Sequence, residues 1–186
     1  VSVIQAIIQS IDEVISAKVF TTINQLRGGI ATRVSTTISD VQYIVPCKRG
    51  TEQILVPDDN YSVISYHNLE GIKPNTNYKD GVGDDPLTTN TYNCSLVVFA
   101  NCKKLETTPE ELALHIQCVM PSILNTSSKI LPCGVIRVNE VNLDALQLHQ
   151  IEYPKVEFRL TADHCLIKIK YQIESELNTA CFNKCA

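Results

Sequence analysis

Tryptophan is absent from this sequence, methionine occurs once, and aromatic residues make up only 6% of the chain. With no Trp and a single Met, the core is expected to be built from Ile, Val and Leu. Long apolar runs are also missing: no stretch reaches the roughly 18–20 residues that a membrane-spanning helix needs. Nor does a basic segment lead into an apolar run and a small-residue cleavage site. These absences set the expectation of assembly in the cytoplasm, with no membrane partner.

A basic excess is lacking too. Lys and Arg number 16 against 20 Asp and Glu, for a net charge of −4. The basic residues are scattered, and the longest runs are Lys48-Arg49 and Lys103-Lys104. Tight binding to nucleic acid needs a basic stripe that neutralises phosphates. A weakly acidic surface instead lets nucleic acid pass without adhering, because like charges repel.

Signatures of catalysis are missing as well. There is no Gly-x-Ser-x-Gly elbow, no cysteine-protease signature, no phosphate-binding loop and no dinucleotide fingerprint; Gly28-Gly29 and Gly81-Val82-Gly83 are neither of the last two. Among the histidines, His67 reads as the end of a strand, His115 as a helix residue, His149 as lying near another helix, and His164 as part of a turn. Each is expected to be a surface or capping residue rather than a base. Asp80, Asp84 and Asp85 lack the spacing of a calcium loop and read as a solvated acidic turn. The chain is therefore expected not to be an enzyme and to carry no cofactor.

What the chain does have is cysteine. Eight occur, at positions 47, 94, 102, 118, 133, 165, 181 and 185. Cys94 and Cys165 fall in strand patterns and Cys118 in a helical one, places where a small buried residue belongs. Reduced core thiols are the expectation, ahead of a disulfide framework. His164-Cys165 and Cys181-x3-Cys185 are ligand types that zinc accepts, but the spacing matches no standard ribbon or finger, so no metal is expected. Cys94 and Cys102 bracket a strand and could share a face.

The apolar pattern gives the elements. Ile4, Ile7, Ile8, Ile11, Val14, Ile15, Val19, Ile23 and Leu26 recur at three- and four-residue steps, which predicts a long amphipathic helix over 2–26, stopped by Gly28-Gly29. Alternation from Ile30 to Ile38 and over Val41–Val45 predicts strands. A hairpin turned at Lys48-Arg49-Gly50 would continue through Gln53–Val56. Tyr61–His67 alternates again, and Tyr92–Phe99 reads as a strand buried on both faces. Thr108, Pro109 and Glu111 open a helix over Thr107–Leu124 with a capping box, and Pro121 marks a kink or early stop. Val135–Val141 reads as a strand, Leu143–His149 as a short helix capped by Asn142, and Val156–Leu160 with Cys165–Ile173 as a closing hairpin.

Residues 71–90 break the pattern, with three Gly, two Pro, three Asp and three Asn. A loop this long in a compact domain is commonly functional. It is expected to be an arm that contacts something outside the domain, with Ile72, Lys73, Tyr78, Asp80, Asp84, Asp85 and Leu87 as candidate subunit contacts. Residues 177–186 read as a polar tail. The whole is expected to be a single α+β domain over 1–186: a mainly antiparallel sheet with a long N-terminal helix and one capped helix packed on it.

This order of elements (long helix, meander, arm, buried strand Tyr92–Phe99, capped helix Pro109–Leu124 and closing hairpin Val156–Ile173) resembles the tail-terminator and head–tail connector ring proteins of tailed bacteriophages, the ring proteins of crAss-like phages among them. The resemblance implies a structural virion protein, assembled in the host bacterial cytoplasm. It would form a homo-oligomeric ring, often of about six or twelve copies, closed by heterologous contacts. Its neighbours would be portal, connector or tail proteins, and DNA would pass through without sequence-specific binding. The cysteine count and the Cys-bearing tail depart from that pattern. A cysteine-dependent metal or redox-linked binding module, and a small enzyme whose site is assembled from distant residues, are the other readings.

Overall fold

The computed structural model describes residues 3–21, 24–38, 40–49, 55, 60–77, 87–120, 134–143, 145–147 and 163–177. They form an α+β fold, built on one six-stranded sheet. The elements are α1 (Val3–Lys18), β1 (Gln25–Ile38), β2 (Val41–Lys48), β3 (Val63–Asn77), β4 (Leu87–Asn101), α2 (Pro109–Val119), β5 (Gly134–Asn142) and β6 (His164–Leu177). The sheet order is β2-β1-β3-β4-β6-β5. Among the described residues only β1 and β3 run parallel, and the other pairings are antiparallel.

The N-terminal helix is shorter than its apolar period suggests. Ile4, Ile7, Ile8, Ile11 and Ile15 do line one buried face, but the helix ends at Lys18. From Val19 onward β-branched and aromatic residues (Val19, Phe20, Thr21, Thr22, Ile23) lose side-chain freedom in a helix and favour extension. Gln25 fastens the exit: its side chain accepts from the Ser16 hydroxyl at 2.9 Å and donates to the Phe20 carbonyl at 3.4 Å. Leu26 is thus a strand residue, while Ile23 lies outside the described residues.

Gly28-Gly29 does not stop a helix either. The pair makes a bulge in β1, where the register to β3 shifts between Arg27 and Ile30. Gly29 has φ +60°, which costs a residue with a Cβ but not glycine. At Gly28 a Cβ would sit 2.5 Å from Leu55 Cδ1 and 2.8 Å from Tyr66 Cβ. The bulge is also where β1 changes partner. Residues 25–30 pair with β3, and residues 31–38 pair with β2 through a two-residue turn whose Asp40 has φ +62°.

The helix after β4 follows the sequence closely. Thr108 accepts from the Glu111 N–H at 3.2 Å, and Glu111 accepts from the Thr108 N–H at 3.1 Å, which is the reciprocal capping box. Leu112, Ala113, Ile116 and Val119 face inward. The helix closes at Val119, ahead of Pro121. The expected hairpin half Gln53–Val56 is described only at Leu55, and Val156–Leu160 lies outside the described residues, as do His149 and the tail beyond Leu177. Asn142 ends β5 rather than capping a helix, and residues 146–147 are helical.

Two apolar clusters lie on opposite faces of the sheet. On one face α1 and α2 cover Tyr92, Leu96 and Val98 of β4 and Ile167, Ile169 and Ile173 of β6. On the other, Ile64, Tyr66, Val97, Phe99 and Leu166 pack with Leu55 and Ala145. Burial on both faces explains the continuous run Leu96-Val97-Val98-Phe99, since in a half-exposed strand alternate residues would be polar.

Candidate functional site

The expected arm is strand over much of its length. β3 continues through Asn77 and β4 begins at Leu87, and they pair from Gly71–Asn93 out to Asn77–Leu87. β6 extends alongside, pairing Thr88 with Leu177, so the projection is three-stranded near its end. Gly, Pro and Asn concealed it, because they weaken local strand preference while cross-strand hydrogen bonds supply the order. Ile72 is exposed, paired with Tyr92, and Lys73 is exposed, paired with Thr91. Leu87 opens β4 opposite Asn77. Tyr78, Asp80, Asp84 and Asp85 lie outside the described residues.

A second projection was not expected. Beyond the bulge, β1 residues 31–38 pair with β2 alone among the described residues. Its root is held down, because Val45 and Cys47 are buried and the Leu55 N–H donates to the Pro46 carbonyl at 2.7 Å. Toward the tip the ribbon exposes Val34 and Ile44, each more than 40% accessible. These two side chains lie on opposite faces of the ribbon, since Val34 pairs with Val45 and Ile44 with Ser35. A two-stranded ribbon alone is at best marginally stable in water.

Beneath α1 lies a buried polar chain. His67 is fully buried in the middle of β3, not at a strand end. Its Nε2 is 2.9 Å from Asp12 Oδ1 of α1 and its Nδ1 is 2.6 Å from the Tyr171 hydroxyl of β6. A carboxylate only accepts, so Nε2 carries the hydrogen; in the neutral ring Nδ1 then accepts from Tyr171. Tyr171 is in turn hydrogen-bonded to Cys94 of β4. Burial pushes the Cys94 thiol up to about 12, partly offset by Tyr171 and reinforced by Glu70. Burial likewise raises Tyr171 well above the ordinary phenol range, with Cys94 and Asp12 adding to it. Both ring nitrogens of His67 are committed inside the protein, so the chain ties α1 to three strands and presents no base to a substrate. A groove of about 440 Å³ lined by Gln5, Gln9, Asp12, Arg27 and Arg49 reaches only its carboxylate end.

Cys102 and Cys165 form the other chemical feature. Their sulfurs are 2.9 Å apart, inside the roughly 3.5–4.0 Å at which non-bonded heavy atoms normally rest. Cys165 is buried near the start of β6, and Cys102 is half-buried in the turn after β4. The backbone holds them there: the Cys102 N–H donates to the Asp163 carbonyl at 2.8 Å. Burial is the largest cause raising the Cys165 thiol, and its contact with Cys102 raises it further. Cys94 shares the helix-covered face with Cys102, as the spacing suggested, yet it bonds Tyr171 and not another thiol. Cys118 is exposed on α2, contrary to the expectation of a buried position. Cys133, Cys181 and Cys185 lie outside the described residues. No group of three or more metal-ligating side chains occurs among the described residues.

No protein-family model matches the chain, and no curated protein resembles it closely enough to count as a relative.

Proposed function

We propose that this chain is a structural subunit that assembles with copies of itself into a closed ring, as head–tail connector and tail-terminator proteins of tailed bacteriophages do. The observation that supports this reading is the β1–β2 ribbon. It leaves the sheet at a built-in bulge and carries an exposed aliphatic side chain on each face. Exposed Val34 and Ile44 on a narrow ribbon offer apolar surface for a neighbouring chain to cover. The extended β3–β4–β6 end, with Ile72 exposed on it, offers a second surface on the same subunit.

Two different surfaces on one subunit suit heterologous contacts, which generate rings when the rotation closes. The net charge of −4 suits a lumen along which DNA slides. On this reading assembly itself requires no reaction and no cofactor. Its partners are neighbouring copies and the portal, connector or tail proteins above and below.

The test is native mass spectrometry of the full chain with negative-stain imaging, beside the double variant Val34→Lys/Ile44→Lys. The expected result is one closed copy number for the unaltered chain and monomers for the variant, with matching circular dichroism. A monomer at the highest soluble concentration, or a ring unaffected by the two lysines, overturns the reading of the ribbon.

A further inference from the structure

The geometry points to a dithiol–disulfide site at Cys102 and Cys165, which exchanges with small-molecule disulfides of the glutathione class through the cleft beside α2. Three observations carry it. The two sulfurs already touch at 2.9 Å. Their backbones are locked in that relation by the β4–β6 ladder, which pairs Ala100 with Cys165 and Asn101 with His164, and by the hydrogen bond from Cys102 to Asp163. Third, the pair lies on the wall of an open cleft of about 430 Å³, lined also by Thr107, Glu111, Asp163 and His164.

The two thiols differ in a way that assigns their roles. Cys102 is half-buried and faces the cleft, so it meets the incoming disulfide. Cys165 also lines the cleft but is the more buried of the two, with its sulfur against that of Cys102. At the rim, Lys103 and Asp163 form an exposed ion pair at 3.9 Å, loose enough to exchange for the carboxylates and ammonium group of a small peptide.

The exchange balances as follows. The Cys102 thiolate, its proton given to solvent, attacks one sulfur of the small disulfide. That S–S bond breaks, a mixed disulfide forms, and one small thiolate leaves and takes up a proton. Cys165 then loses its proton and attacks Cys102 Sγ, expelling the second small thiol. Two protein S–H bonds become one S–S bond, and one small disulfide is reduced to two thiols. Closure needs the sulfurs to approach by only about 0.9 Å to reach the covalent distance of roughly 2.05 Å.

The experiment treats the intact protein with oxidised glutathione and maps the cysteines by peptide mass spectrometry. The expected product has lost two hydrogens and contains a Cys102–Cys165 cross-linked peptide that dithiothreitol reverses. Cys165→Ser should instead hold one glutathione on Cys102, while Cys102→Ser should hold none on Cys165. A protein that keeps both thiols alkylatable after treatment, a Cys102 adduct that never closes in the unaltered chain, or a Cys165 adduct in Cys102→Ser overturns the proposal. The mapping on the unaltered chain needs no variant to fold, and its outcome is independent of the oligomeric state.

Discussion

Tyr171→Phe removes one oxygen from the centre of the buried polar chain and leaves the ring packing in place. Tyr171 is 1% exposed and its hydroxyl lies 2.6 Å from His67 Nδ1, where no water reaches, since His67 is fully buried. The substitution strands an imidazole acceptor, which costs about 1–3 kcal/mol in a buried site. The weak S–H donor of Cys94 adds little. For a chain of this size each kcal/mol lowers Tm by about 2–4 °C, so the midpoint should fall by about 2–12 °C. Urea titration should show a lower midpoint with an unchanged slope, because the surface exposed on unfolding is the same. The decisive control is the same substitution made in His67→Leu. With the acceptor gone, Tyr171→Phe should cost at least about 1 kcal/mol less. Equal costs in both backgrounds would refute the hydrogen-bond account and assign the loss to packing.

Three further outcomes are expected. Stability should fall as pH rises from about 9 toward 12, because Cys94 has a folded-state value raised from 9.0 to about 12 and binds its proton more tightly when folded. That contribution is fully present below pH 9, Cys165 and Tyr171 act in the same direction, and Cys94→Ala should flatten the decline in a urea midpoint measured against pH. Gly28→Ala should destabilise by about 1–3 kcal/mol through overpacking against Tyr66 Cβ, whereas Gly29→Ala, with nothing within 4 Å, should cost only about 1 kcal/mol of backbone strain; paired thermal melts decide the order. Thr108→Ala should cost about 1 kcal/mol by opening the capping box of α2, seen as a reduced urea midpoint.

The elements that proved legible are those whose determinants are local. Thr108, Pro109 and Glu111 lie within four residues of one another, so the start of α2 could be read from the letters and is found with both reciprocal hydrogen bonds. The all-apolar run Leu96–Phe99 announced a strand covered on both sides, and the two clusters provide the cover. The length of α1 was misread because its apolar period runs on into the β-branched stretch after Lys18, and Gly28-Gly29 was misread for a different reason. Glycine permits both a helix stop and a strand bulge, and only the partner strand chooses between them. His67 was misread as a surface residue because its partners stand 55 and 104 residues away in the chain.

By itself, then, the sequence determined the α+β class, the capped helix and the central strand, because periodicity and capping act over a few residues; the core is rich in Ile, Val and Leu as expected, but Tyr66, Tyr171 and Phe20 are among its largest fully buried side chains. Tertiary structure alone decided which strands pair, where β1 leaves the sheet to form a ribbon, and that a three-stranded extension stands where Gly and Asn suggested a loop. It also decided which titratable groups meet: Asp12 with His67 and Tyr171, and Cys102 with Cys165. Those contacts depend on sheet order and register, and a pairing between strands sixty or a hundred residues apart leaves no signature in the spacing along the chain.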